Sequence, residues 1–139
     1  MLPCKEHSND SIEARAFCKM IYRHTRCVVA DNSGAKVGMI IGIHNKSKIA
    51  TIGTSVTVTV KDTKPGAKVK VGELCRAVVV RCKKESLKRD GRFVRFDDNA
   101  IVLVHPDRKP IGSRVLGPVG ADLRTDAWIK VASIASKLL

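Results

Sequence analysis

The chain has 139 residues, which is enough for one domain with a real core but too few for two. It carries 26 basic and 13 acidic residues, a formal net charge of +13. A positive charge this large on a small protein implies a polyanionic partner or a strongly anionic membrane surface. The longest apolar stretch, residues 37–43, is far shorter than the roughly 20 residues that cross a bilayer. The sequence therefore excludes a membrane-spanning protein.

Residues 1–26 read as an N-terminal extension without a β pattern, with a mildly helical stretch over residues 12–22. The acidic residues Glu6, Asp10 and Glu13 make it a poor match to a mitochondrial presequence, which is usually poor in acids. Three interpretations stay open: a segment that docks on a partner, a retained leader, or a loosely ordered tail.

Strand signals follow the extension, and valine and isoleucine together outnumber leucine by 28 to eight. Predicted strands cover residues 27–30, 37–43, 55–60, 74–81, 93–96 and 100–104, with turns at 31–34, 64–66, 71–73 and 90–91. The segment Ser55–Val60 alternates valine with threonine, as a strand with one buried face does. The centre of the fourth strand, residues 77–80, has no polar position, so we expect burial on both faces. Short strands separated by regular turns predict a mainly β fold, either a closed barrel or a sandwich.

The C-terminal part has a different pattern. Pro106, Pro110 and Pro118 interrupt the stretch after residue 104. From Asp122 to Leu139 the apolar residues recur at helical spacing, which predicts a helix with Thr125 or Asp126 as its N-cap.

Nearly all of the excess positive charge lies in the middle of the chain. Residues 36–95 hold 15 basic and four acidic side chains, net +11, whereas the segments before and after are each net +1. The densest part is the predicted hairpin over residues 81–95, called here the basic ribbon. A ribbon that presents many cations to a phosphate backbone binds it strongly and in a salt-dependent way. The predicted RNA-binding residues are Arg81, Lys83, Lys84, Lys88, Arg89, Arg92 and Arg95, together with Lys64, Lys68 and Lys70. The alternative is a solvated loop with no partner.

The chain has only five aromatic residues, so few rings could stack on bases. Phe93 and Phe96 lie in or beside a predicted strand, and we expect both to pack in the core or the hairpin rather than on a base. The sequence thus favours recognition of phosphates and of the shape of folded RNA over base reading.

No pattern indicates an enzyme, a metal site or a cofactor. Asp97 and Asp98 are adjacent, so on a strand they would point to opposite faces. Ser33 has no histidine placed to act as its base, and no phosphate-binding glycine motif occurs. The five cysteines are odd in number and not closely paired, which indicates a reducing compartment rather than a disulfide framework. His24 and Cys27 form a close pair of metal-ligating type, but two ligands are too few for structural zinc, so we expect Cys75 and Cys82 to be small core residues.

Several motifs in order resemble one family. The central motif consists of the run 77–80, then Asp90-Gly91, Phe96, Asn99 and Val102-Leu103 at fixed spacing. Flanking matches are the segments 29–35, 68–73, 110–119 and 122–124. Together they resemble the universal large-subunit ribosomal protein L-fourteen, over residues 27–139 without a large gap. The predicted organisation is thus an N-terminal extension, 1–26, and an L-fourteen-like domain, 27–139.

The resemblance implies a closed five-stranded β-barrel with a projecting β-ribbon and short C-terminal helices. It implies a structural, non-catalytic protein that binds large-subunit ribosomal RNA near the subunit interface and contributes to a bridge with small-subunit RNA. It also implies the ribosomal proteins L-three and L-nineteen as neighbours. A free-standing RNA-binding regulator of translation is the alternative from another class.

The resemblance further implies a docking surface for a ribosome silencing factor, which maps onto Ser113, Arg114, Lys130 and Ser133. The N-terminal extension, and the similarity of residues 92–100 to organellar members, favour a mitochondrial ribosome. A bacterial or plastid ribosome is the alternative.

Overall fold

Five strands close into a barrel in this computed structural model, which describes residues 20–88 and 90–139. The strands of the described residues are β1 (Arg26–Val29), β2 (Ala35–Ile43), β3 (Ser55–Thr63), β4 (Leu74–Arg81), β5 (Ser86–Leu87), β6 (Phe93–Val94), β7 (Ala100–Val104), β8 (Val115–Val119) and β9 (Ala135–Leu138). The barrel order is β1-β2-β3-β4-β7, with β1 parallel to β7 and every other pair antiparallel. The prediction of a mainly β fold is confirmed, and of its two alternatives the barrel is the observed one.

Strand β3 has the one buried face that the alternation of valine and threonine in the sequence predicts. Val56, Val58 and Val60 are fully buried inside the barrel, whereas Thr57 and Thr59 between them are half-buried on the other face. Successive side chains of a strand point to opposite faces, so a valine at every second position fills the interior from one strand.

Strand β4 lies between two apolar cores, which confirms the predicted burial on both faces. Ala77 and Val79 pack into the core inside the barrel, whereas Val78 and Val80 belong to a second core on its outside. All four are fully buried. The second core is covered by the C-terminal residues, among them Val119, Leu123, Trp128 and Val131. The barrel therefore has one outer face that the rest of the chain must shield from water.

The short C-terminal helices that the resemblance implies are confirmed as a 3-10 turn and one short α-helix, but the helix that the apolar spacing predicts from Asp122 to Leu139 does not form over that range. The segment forms a 3-10 turn at Ala121–Leu123, a helix α1 at Ile129–Ile134, and the strand β9, which pairs in parallel with β8. The N-cap of α1 is Trp128, without a side-chain capping bond, and not Thr125 or Asp126. The apolar residues at helical spacing cover the outer face of the barrel. From Ala135 onward the chain pairs with β8, and these strand hydrogen bonds replace those of a helix.

Strand β8 is absent from the predicted elements, which have an interruption at Pro118. Pro118 lies inside β8 opposite Lys137 of β9. Both strands of a two-stranded sheet are edge strands, and an edge strand tolerates a proline because amides that face away from the partner strand need no ladder bond.

Residues 20–25 pack against the barrel. Ile21 is fully buried and forms a β-bridge with Ala50. The C-terminal end of the stretch predicted to be helical, residues 20–22, is therefore not helical. Residues 12–19 of that stretch lie outside the described residues. The division of the chain at residue 26 stays a prediction. Of the described helices, none has the length and apolar character needed to cross a membrane.

Candidate nucleic-acid interface

The basic ribbon (residues 81–95) lies between β4 and β7 and contains the short pair β5–β6. Ser86 is opposite Val94 and Leu87 is opposite Phe93, and the chain turns at Gly91 with φ = 83°. The Asp90-Gly91 turn predicted from the sequence is thus confirmed, because a glycine adopts positive φ without steric cost. The ribbon strands are two residues each, shorter than the predicted strand over 93–96.

One face of the ribbon is docked on the C-terminal layer. The Nζ of Lys88 lies 2.7 Å from Oδ2 of Asp122, and the hydroxyl of Ser86 donates to the same oxygen at 3.5 Å. The Lys88 side chain is only 10% exposed. Lys88 therefore attaches the ribbon to the 3-10 turn, and little of its charge is available to a partner.

Arg81 bridges three parts of the molecule. Its Nη1 donates to the carbonyl oxygens of Leu116 at 3.0 Å and Pro118 at 3.3 Å, joining β4 to β8. Its Nη2 donates a hydrogen bond to Oδ2 of Asp98 at 3.3 Å. Its Nε lies 3.1 Å from Oδ1 of the same carboxylate, close enough for an ion pair but without the geometry of a hydrogen bond. The side chain is 11% exposed. Arg81 thus has a structural role that the sequence did not reveal.

The other described cations of the ribbon are exposed. Lys83 and Lys84 are exposed, and no acidic side chain pairs with either of them in the described residues. Arg92 pairs with Asp90 at 2.6 Å, which lowers the pKa of that carboxyl, and both side chains are exposed. Arg95 lies 3.8 Å from Glu85, also at the surface. Exposed pairs of this kind are weak, so a phosphate can compete for both arginines. Arg89 lies outside the described residues.

Lys64, Lys68 and Lys70 lie at the other end of β4 from the ribbon, because they belong to the loop that precedes this strand. All three are exposed. The loop is held to the turn after β1 by bonds from the Lys64 amide to Gly34 and from the Lys68 amide to Ser33. The predicted cations therefore form two separate surfaces, not one.

The four residues predicted to bind a protein partner lie near the edge of the small β8–β9 sheet at which both strands begin. Ser113 and Arg114 come directly before β8, Lys130 and Ser133 lie on α1 directly before β9, and the register pairs Val115 with Ala135. All four are exposed. Because β8 and β9 run in parallel, the segments that lead into them start from the same edge of the small sheet.

Asn32 positions this surface and was missed by sequence reasoning, which assigned it only to a turn. Its Oδ1 accepts from the amides of Ser113 at 2.8 Å and Arg114 at 3.3 Å, and its Nδ2 donates to the Ser113 hydroxyl at 2.9 Å. The partners are about eighty positions apart in the chain, and no local pattern signals such a contact.

Phe93 and Phe96 were expected to pack in the core or in the hairpin, and they differ: Phe96 lies in the core, whereas Phe93 lies on the hairpin opposite Leu87. Phe96 is buried, but Phe93 is 68% exposed. The two rings differ because Phe96 follows the ribbon and its amide bonds to the carbonyl of Cys82, whereas Phe93 lies on the ribbon face that points away from Asp122.

The described cysteines, Cys27, Cys75 and Cys82, are thiols rather than disulfides and lie against the apolar core. Burial raises the pKa of Cys27 to about 12, with a smaller contribution from Cys82. Burial also raises the pKa of Cys75 and Cys82, which keeps these thiols protonated and poor metal ligands at neutral pH. Cys82 is buried as expected, whereas Cys75 is only half-buried. In the described part of the chain no three metal-ligating side chains are grouped.

Comparison with known proteins agrees with this architecture. The family model described as ribosomal protein L14p/L23e matches residues 20–139. The chain belongs to this family. A curated relative, the large ribosomal subunit protein uL14 of Aquifex aeolicus (strain VF5), is 46% identical over 121 residues, 86% of this chain and all of the relative.

Membership settles the class of protein. The chain is a structural ribosomal protein and not an enzyme, as predicted from the weakness of every catalytic pattern. It is homologous to a protein of the large subunit. That relative is bacterial, so the mitochondrial expectation is not decided by it.

Proposed function

We propose that this protein is a structural constituent of the large ribosomal subunit and binds its RNA through the phosphates that face the basic ribbon. The observation that carries the proposal is the pair Lys83 and Lys84, two exposed cations without an acidic partner in the described residues, at the base of a ribbon that also exposes Arg92 and Arg95. Two neighbouring acids on the ribbon, Glu85 and Asp90, are both paired already. The ribbon thus has positive charge that its own side chains do not neutralise.

Cations that neutralise phosphates release condensed counterions, so the affinity falls steeply with salt. Lys64, Lys68 and Lys70 form the second surface of this proposal, beyond the other end of β4. Two separate basic surfaces suit a folded RNA that wraps past both ends of the barrel better than one straight helix.

The test is reversal of charge on the ribbon. Lys83→Glu with Lys84→Glu, and the triple variant that adds Arg89→Glu, should abolish incorporation into the large subunit, measured by sedimentation of tagged protein. The matched control is Lys46→Glu with Lys48→Glu, an equal change of charge on exposed residues of the β2–β3 loop. Normal incorporation of the ribbon variants would mean that the ribbon is not the anchor.

Washing the subunits at high salt separates the two classes of function. A structural constituent sediments with the large subunit after the wash, whereas a free-standing RNA-binding regulator of translation is removed. We infer the structural role because the family model covers the whole described chain.

The finer placement rests on the resemblance. We propose a position near the subunit interface, a contribution to a bridge with small-subunit ribosomal RNA, and ribosomal proteins L-three and L-nineteen as neighbours. We also propose a mitochondrial ribosome, with bacterial cytoplasm or a plastid as the alternative. Fractionation of source cells followed by immunodetection decides the compartment.

The surface of Ser113, Arg114, Lys130 and Ser133 is proposed to bind a ribosome silencing factor. The support is its mixed character: two cations and two hydroxyls beside Ile129, which is 54% exposed, and Leu116, which is 57% exposed. Apolar contact with a few charged anchors is typical of protein interfaces, whereas phosphate binding requires a higher density of charge.

A further inference from the structure

The outer face of the basic ribbon carries an unexplained apolar pair. Leu87 and Phe93 are directly opposite each other on β5 and β6, at 66% and 68% exposure. They are the two most exposed large apolar side chains in the part of the chain that the structure describes. Exposure of two adjacent apolar side chains to water has a free-energy cost, which a partner that covers the pair would relieve.

The ribbon cannot bury this pair by turning over. Side chains alternate along each strand, so Ser86 and Lys88 point to the face opposite Leu87. That face is held on the C-terminal layer by the Lys88–Asp122 ion pair at 2.7 Å. Leu87 and Phe93 therefore stay on the outer face, and a backbone already held in place loses little conformational freedom when a partner binds.

The surroundings of the pair are cationic. Arg92 comes directly before Phe93 and Arg95 directly after β6, and both arginine side chains are exposed. The acids that approach these arginines, Asp90 and Glu85, form exposed pairs that phosphate can displace. A protein partner of ordinary size covers about 800 Å² on each side, far more than two side chains offer, whereas a single nucleobase needs only one ring.

We propose that Phe93 stacks on an unpaired base of ribosomal RNA, with Leu87 packed against the edge of that base and the arginines on the adjoining phosphates. The inference rests on the proposed RNA-binding function, and it names a nucleobase as the chemical group that binds to the outer face of the ribbon. It also modifies the expectation from the sequence that recognition uses phosphates and shape alone. The ribbon would read one nucleotide whose base is displaced from a helix.

The first experiment compares Phe93→Leu with Phe93→Tyr in the full chain. The affinity for large-subunit ribosomal RNA of the source organism, transcribed in vitro, is measured by filter binding over a series of salt concentrations. Loss of stacking should weaken binding by about fivefold or more at every salt concentration in Phe93→Leu. Phe93→Tyr keeps the ring and should bind within about twofold of the wild type. Equal weakening in both variants, or none in Phe93→Leu, would overturn the stacking proposal.

A second variant separates this inference from the proposed function. Lys83→Gln with Lys84→Gln should reduce the slope of log affinity against log salt by about 1.4 to 1.8, while Phe93→Leu leaves the slope unchanged. If the lysine variant shows the reduced slope and Phe93→Leu binds with wild-type affinity, the stacking proposal is wrong and the proposed phosphate binding stands. If the lysine variant keeps the wild-type slope and affinity, phosphate binding by the ribbon is wrong as well.

The class of partner is identified in assembled subunits. A photoreactive benzophenone amino acid in place of Phe93 should cross-link to a nucleotide of the large-subunit RNA. A cross-link to a ribosomal protein, or no RNA adduct, would overturn the inference in favour of a protein contact at this face.

Discussion

At the scale of single residues, equal charges in the sequence have unequal roles in the structure. Arg81 and Lys83 are two positions apart, yet the first is 11% exposed and bonded to Asp98 and two β8 carbonyl groups, whereas the second is exposed. The conformation of Gly117 supports the same bridge: its φ is +78°, and a Cβ there would collide with Nη1 of Arg81. The positive φ favours glycine at this position, and a side chain there would also displace the Arg81 guanidinium.

Arg81→Met should destabilise the fold rather than the RNA contact. The substitution removes hydrogen bonds to Leu116 and Pro118 and leaves their carbonyl groups with fewer donors, at a cost of about 1–3 kcal/mol. The concentration of urea at half-unfolding measures this change. Lys83→Met is the matched control, because it removes the same charge from the surface and should stay within about 0.5 kcal/mol of the wild type. If both variants unfold at the wild-type concentration while Arg81→Met alone loses RNA affinity, Arg81 belongs to the RNA surface.

At the scale of elements, strand β4 is the part of the fold that both cores share. Ala77 and Val79 contribute to the interior of the barrel, and Val78 and Val80 to the core under the C-terminal layer. A change in this strand therefore affects the barrel and its cover together.

Val79→Asp tests that assignment. The substitution places a carboxylate without a partner in the barrel interior, at a cost of several kcal/mol against a total stability of about 5–15 kcal/mol. We expect insoluble or unfolded protein by circular dichroism. Val71→Asp is the control, since Val71 is 62% exposed in the turn before β4 and should tolerate the same change. A soluble, folded Val79→Asp protein would show that the strand is not buried as described.

At the scale of the whole molecule, the fold separates three surfaces. The basic ribbon lies at one end of β4, the loop with Lys64, Lys68 and Lys70 precedes the other end, and the proposed protein-binding surface lies where β8 and β9 begin. We therefore expect that substitutions can alter the proposed binding of RNA and the proposed binding of a protein independently.

Arg114→Ala with Lys130→Ala tests that independence. The double variant should lose binding to a ribosome silencing factor in a pull-down while entering the large subunit normally, because neither residue lies on the ribbon. Arg124→Ala with Lys137→Ala removes equal charge from other exposed positions of the C-terminal layer and should bind the factor normally. The competing interpretation is that Arg114 contacts ribosomal RNA and Lys130 is only solvated. Unchanged binding of the factor would favour it and remove this surface from the proposal.

The sequence alone determined the features that depend on neighbours along the chain. Alternation of valine and threonine predicted β3, the unbroken apolar run predicted burial of β4 on both faces, and Asp90-Gly91 predicted the turn of the ribbon. Each signal is local, because side-chain direction in a strand and the φ of a turn are set within a few residues. The concentration of positive charge over residues 36–95 is likewise a property of composition.

Only the tertiary structure decided which of those residues are available. Arg81 and Lys88 are neutralised by Asp98 and Asp122, which are 17 and 34 positions away, and no spacing rule brings these partners together. The C-terminal segment has helical periodicity, yet residues 135–138 form a strand because β8 offers hydrogen bonds and the outer face of the barrel needs a cover. Phe93 is exposed for a similar reason: the contact of Lys88 with Asp122 orients the ribbon, and that contact is set by folding at long range. The periodicity of apolar residues indicates which face of a helix or strand is apolar. Which other segment packs against that face depends on the free energy of many contacts between segments that are distant in the sequence.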